Sequence, residues 1–169
     1  IRISKVSDAY WSPDDTMIAA GNKIFNLASG KLLFSFDEGS DVAWSPNGEL
    51  IASGAGVWDV VREKQQFVFH GNGEEHCSKH VWSPDSTKIA GLLSRTLGRP
   101  AELVRIYSAT GEQLLSLRTK TPIENIGWSK SLNLFAYSDD ALHILDGNSL
   151  KELKVLTPSS QGQVKFEWS

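Results

Sequence analysis

Sulfur, basic charge and long apolar runs are all scarce in this chain of 169 residues. It has one cysteine, Cys77, which has no intrachain partner, so the fold does not need the oxidising compartment that disulfide-built domains require. Seventeen Lys and Arg stand against 20 Asp and Glu, for a net charge of −3. No overall positive field therefore advertises DNA or an anionic membrane. The apolar runs, such as VWDVV at 57–61, extend over about five residues, and a membrane-crossing helix needs about 20. The first residue is Ile1 and no charged-then-apolar leader precedes the repeat pattern, and this reads as a soluble chain of the cytoplasm, with the nucleus as the alternative. No Gly-x-Ser-x-Gly stretch, no Ser/His/Asp order and no glycine-rich phosphate loop is present, so nothing marks a catalytic centre.

What is present is a repeat. YWSPDD (10–15) returns as AWSPNG (43–48), VWSPDS (81–86) and GWSKSL (127–132), and the chain reaches EWS at 167–169. The aromatic positions Trp11, Trp44, Trp82, Trp128 and Trp168 are 33, 38, 46 and 40 residues apart, the spacing class of propeller blades. Each unit begins with a short run that ends in the tryptophan. Ser, Pro and Asx then supply the first three positions of a type I turn, and Gly48 suits a left-handed fourth. A second strand follows (TMIAAG, ELIASG, TKIAGLL, NLFAYS), then a tight link containing Gly21-Asn22, Gly54-Ala55-Gly56 or Asp139-Asp140, then a third and a fourth strand. The apolar spacing is not helical, and β-branched and aromatic residues crowd the runs. The expected fold is all-β: four four-stranded antiparallel meanders forming propeller blades, as an arc of a larger ring. The units are approximately 7–39, 40–75, 76–122 and 123–160 of a single domain, and 161–169 starts a further blade. In the clearest unit the strands are expected near 41–44, 49–53, 57–61 and 65–69.

The WSPDG-like corners, LIASG at 50–54 and the dipeptide Trp58-Asp59 in VWDVV resemble the WD-repeat family of β-propellers over essentially the whole chain. The dipeptide position reads Phe25-Asn26, Tyr107-Ser108 and Leu145-Asp146 in the other units. The Gly-His that usually precedes the first strand is missing from all four, so the polar tetrad of regular members is not intact. The resemblance implies that Trp11, Trp44, Trp58, Asp59, Trp82 and Trp128 are structural signature residues. It also implies that each corner tryptophan packs against the next blade. Unit three, 82–107, is similar as well to propellers of TolB and prolyl-peptidase type.

Three features compete with a purely structural reading. His70, His76, Cys77 and His80, with Glu74 and Glu75, have donor types suited to zinc. They fall in the connection between units two and three and lack a second paired half, so a solvated loop with no metal is expected. The link 91–103, with Arg95 and Arg99, is long enough to carry function, and two guanidinium groups suit a carboxylate or phosphate. Arg95, Arg99, His76 and His80 are the candidate partner-binding residues. The pairs Asp14-Asp15 and Asp139-Asp140 fall in turns, where aspartate is expected without catalysis.

The resulting expectation is a non-catalytic protein–protein interaction scaffold with no cofactor. Its partners are other proteins, the remaining blades of a larger propeller, or another chain. DNA is not contacted directly, and RNA is met only through a complex. The alternatives are the propeller of a TolB-like or prolyl-peptidase-like protein whose catalytic part lies elsewhere, and a translation-initiation-factor-type propeller in a ribosome-associated complex.

Overall fold

The computed structural model describes residues 9–36, 41–54, 56–69, 76–94, 101–158, 164 and 166–168. The first blade comprises β1 (Ala9–Trp11), β2 (Met17–Ala20), β3 (Lys23–Asn26) and β4 (Leu32–Ser35). The second comprises β5 (Val42–Trp44), β6 (Leu50–Ser53), β7 (Gly56–Asp59) and β8 (Lys64–Val68). The third comprises β9 (His76–Trp82), β10 (Lys88–Ser94), β11 (Leu103–Ser108) and β12 (Gln113–Arg118). The fourth comprises β13 (Asn125–Trp128), β14 (Leu134–Ser138), β15 (Leu142–Asp146) and β16 (Glu152–Leu156). Each is a separate antiparallel meander in sequence order, and no helix occurs among the described residues. The first strands adjoin in succession, β1 with β5, β5 with β9 and β9 with β13, so the sheets stand as repeated blades in a propeller-like arrangement.

The Ser-Pro corner is built the same way three times. Ser12, Ser45 and Ser83 are buried, and each donates its backbone N–H to the carbonyl five residues on: Met17 at 3.0 Å, Leu50 at 2.9 Å and Lys88 at 2.9 Å. Their hydroxyls donate to Asp14, Asn47 and Asp85 at 2.6, 2.8 and 2.6 Å. The fourth turn residue is left-handed in all three, with φ of +57° at Asp15, +75° at Gly48 and +61° at Ser86. Only Gly48 adopts that conformation without steric cost. In the fourth corner, which lacks proline, the left-handed residue moves one place on to Asn133.

The dipeptide aspartate has an equally local role. Asp59 Oδ1 accepts the Arg62 N–H at 2.7 Å, and Asp59 Oδ2 lies 2.6 Å from Arg62 Nη1. Asn26 and Asp146 accept the N–H of Ser29 and Ser149 in the same way, at 2.9 and 2.7 Å. This position therefore caps the third hairpin and stops β7 at Asp59, short of the expected 61. One backbone bond per blade ties that hairpin to the corner: Leu27 to Thr16, Val60 to Glu49, Ala109 to Thr87 and Gly147 to Asn133, at 2.8–2.9 Å.

Packing between blades follows from strand alternation. The residues before the corner, Tyr10, Ala43, Val81 and Gly127, pair with Ala19, Ala52, Ala90 and Ala136, all buried. These alanines make a shallow seat. Ala19 shares a core cluster with Trp44, Ala52 with Trp82, and Ala90 with Trp128. Each tryptophan thus lies on the preceding blade, not on the next blade as expected from the resemblance. The residue before it faces forward, and period 2 turns the tryptophan back. Trp11 is the second correction. It is 58% exposed because no described strand precedes β1 to provide its seat.

Candidate functional site

The joint between the second and third blades gathers most of the unusual chemistry. Trp82 Nε1 donates to the Ala43 carbonyl at 3.0 Å, as Trp44 Nε1 does to the Tyr10 carbonyl at 3.1 Å. At the corner end, the Asn47 N–H donates to Ser86 Oγ at 3.0 Å and staples two corners together. Phe67, Phe69 and Tyr107 form an aromatic group, with Phe69 and Tyr107 edge to face at 5.1 Å.

Within this joint lies His80, on β9 and only 5% exposed. Its backbone N–H donates to Asp41 Oδ2 at 2.6 Å, and its Nδ1 is 3.1 Å from the same oxygen. Its Nε2 is 2.9 Å from the Gly54 carbonyl. Burial alone would depress the imidazolium, but the Cys77 sulfur and the Asp41 carboxylate outweigh it and raise the pKa to about 10. Burial would likewise raise Asp41, and the hydrogen bonds from His80 hold it below the ordinary carboxylate range. Cys77 is buried, and its Sγ donates to the Lys79 carbonyl at 3.3 Å. The sequence placed this segment in a solvated loop with His76 and His80 available to a partner. The structure instead puts both in β9 and buries His80, because the strand extends back from Trp82 along β10. His70 to Glu75 lie outside the described residues. Among the described residues no group of three His, Cys, Asp or Glu is placed to hold a metal ion.

Arg95 and Arg99 also lie outside the described residues. The long link is shorter than expected, since β10 runs to Ser94 and β11 begins at Leu103. Asp14 accepts from Ser12 and from the Thr16 N–H and hydroxyl, so its carboxylate caps the corner. Asp139 accepts the Ala141 N–H at 3.0 Å and lies 3.2 Å from His143 Nε2, while Glu152 lies 2.8 Å from His143 Nδ1. Tyr137 stacks on His143 at 4.4 Å, and burial, aided by Glu152 and Asp139, pushes its phenol up to about 12. This grouping is one that sequence reasoning missed. Its residues come from three strands and the turn after β14, whose register no single motif shows.

The tryptophans divide by position. Trp82 and Trp128 are buried, Trp44 and Trp58 are half-buried, and Trp58 lies 6.2 Å from Phe36. The third joint has a different polar tie. Lys79 Nζ donates to Asn125 Oδ1 at 2.6 Å, and Asn125 Nδ2 donates onward to the Phe166 carbonyl at 3.2 Å. A β-carbon on Gly127 would lie 3.2 Å from Trp168 Nε1, so this glycine gives Trp168 close access to the position before a corner. Trp44 likewise lies against Tyr10, but the Trp168 Nε1, unlike that of Trp44, has no hydrogen-bond partner among the described residues.

On the corner side of the second blade, Glu49, Leu50, Asp59, Val61, Arg62 and Gln66 line a groove of about 340 Å³. Val61 on its rim and Leu132 in the fourth corner are strongly exposed apolar side chains. No helix among the described residues is long and apolar enough to cross a membrane. No protein-family model matches the chain, and no curated protein matches it significantly.

Proposed function

We propose that this chain is part of a WD-repeat-type propeller acting as a non-catalytic scaffold for other proteins, an arc of a larger ring. The observation that carries this reading is the seat of Trp168. As Trp44 lies against Tyr10 and Trp82 against Ala43, Trp168 lies against Gly127 of β13, with Asn125 donating to the Phe166 carbonyl in place of an indole hydrogen bond. The first blade presents Trp11 as the same kind of group, 58% exposed and with no seat among the described residues. Partner proteins meet the corner side. Capped turns hold it rigid, and Val61 and Leu132 stand out from it. Rigid turns with exposed apolar tips lose little entropy on binding.

Size-exclusion chromatography with light scattering on the 169 residues tests the arc, with self-association or aggregation expected. A cooperatively folding monomer of 18.6 kDa would overturn it. For the scaffold role, partners captured by the full polypeptide are compared with those captured by a folded Val61→Asp/Leu132→Asp variant. Loss of partners supports the corner side, and an unchanged set argues against it.

A further inference from the structure

The position of His80 is otherwise apolar. Two residues before the corner tryptophan, the first, second and fourth blades carry Ala9, Val42 and Ile126, and the third carries a buried histidine. Space for it is built in. His80 pairs with Gly91, and a β-carbon on Gly91 would come within 3.2 Å of both Cys77 Sγ and the Phe69 ring. The Phe69 ring lies 5.3 Å from the imidazole. Both ring nitrogens face acceptors, and both acceptors belong to the second blade: Asp41, just before β5, and the carbonyl of Gly54 after β6. A neutral imidazole carries one N–H and can satisfy only one of them. With the proton on Nδ1 the Gly54 carbonyl would lose its donor, and with it on Nε2 the Nδ1 lone pair would face the Asp41 oxygen, which keeps only the His80 backbone N–H, so either neutral form is costly in a largely buried joint.

We propose that the contact between the second and third blades is a proton-locked joint, closed while the His80 ring carries two N–H groups and opened when it gives one up to solvent. The groups that face the ring are the Asp41 carboxylate, the Gly54 carbonyl, the Cys77 sulfur and the Phe69 ring. Lys79, next along β9, acts on Asp41 through its charge. The raised pKa of about 10 agrees with this geometry and places the opening on the alkaline side. Above that pH the joint loses a ring bond and keeps the His80 backbone N–H on Asp41, the Trp82 and Ser86 bonds and the aromatic group. The other two joints have no such histidine among the described residues.

The only cysteine reports the state of the joint, because Cys77 is buried beside His80. Its labelling by a thiol reagent is measured against pH and normalised to the same chain in denaturant, which removes the ionisation of the thiol itself. In the parent protein the normalised rate should rise roughly tenfold per pH unit on approach to about pH 10 and level off above it. Asp41→Asn removes the carboxylate and should move that rise down by about one pH unit or more. His80→Val, which installs the residue type that Val42 supplies in the second blade, should abolish it. Nitrogen-15 NMR of the ring at neutral pH should show both nitrogens protonated. A neutral ring at that pH overturns the proposal, and so does a labelling profile in Asp41→Asn that coincides with the parent. The NMR and Asp41→Asn arms decide the matter even if His80→Val does not fold.

Discussion

Trp11 and Trp82 occupy the same place in the repeat, yet one is 58% exposed and the other 6%. The corner beneath each is the same, with a buried serine hydroxyl on an aspartate at 2.6 Å and a left-handed fourth residue. The difference lies in the neighbour. Trp82 has the Ala43–Ala52 seat, a carbonyl acceptor at 3.0 Å and the Phe67–Phe69–Tyr107 group around it. Trp11 has the corner and no described blade behind it. The comparison separates what a repeat unit makes by itself, a turn, from what two units make together, a joint. Each of the three larger apolar clusters draws on two adjacent blades, as expected where each unit buries only part of its surface alone.

The contrast can be broken by mutation. Replacing Trp82 with Ala should cost about 4 kcal/mol, since it opens a core cavity and strands the Ala43 carbonyl. Chemical denaturation measures this, and an unchanged midpoint would remove the packing role from the corner. Trp44 is half-buried with a similar bond, and Trp44→Ala should cost about 2 kcal/mol because less apolar area returns to water. Were it to cost as much as Trp82→Ala, exposure would be the wrong measure of the joint. Ser86→Ala removes the corner staple to the Asn47 N–H and should cost about 1 kcal/mol. Ser86→Gly loses the same bond but relieves the left-handed backbone, so its melting temperature should exceed that of Ser86→Ala. The smallest effect belongs to Trp11→Ala, which should change the stability of the chain by no more than about 0.5 kcal/mol. A large loss there would mean that Trp11 has a seat after all.

Alkaline stability offers a second way to sharpen the comparison. The folded pKa of His80 lies above its ordinary value of 6.5. Its contribution is therefore fully present below about 6.5 and is lost as pH rises through about 10. Denaturation midpoints of the parent should fall across that window and those of His80→Val should not. Parallel curves for the two proteins would take the histidine out of the joint.

Local chemistry was legible because it acts over few residues. A tryptophan followed by Ser-Pro-Asx predicts its own turn, and short apolar runs between such turns predict a meander. In the second blade the strands at 42–44, 50–53, 56–59 and 64–68 lie close to those expected. The alanine at 19, 52 and 90 was a readable signal for the seat of the next tryptophan, and sequence reasoning missed it. Tertiary structure alone decided which way each tryptophan faces, because direction depends on where the strand begins to alternate and on whether a blade stands behind it. It also decided the fate of His80. In sequence, a histidine after Cys-Ser-Lys looks like a loop ligand. Only the docking of Asp41 and Gly54 from another blade, 39 and 26 residues away, makes it a buried ring with an acceptor at each nitrogen. Turns and strands depend on neighbours along the chain, whereas burial and protonation depend on neighbours across a joint.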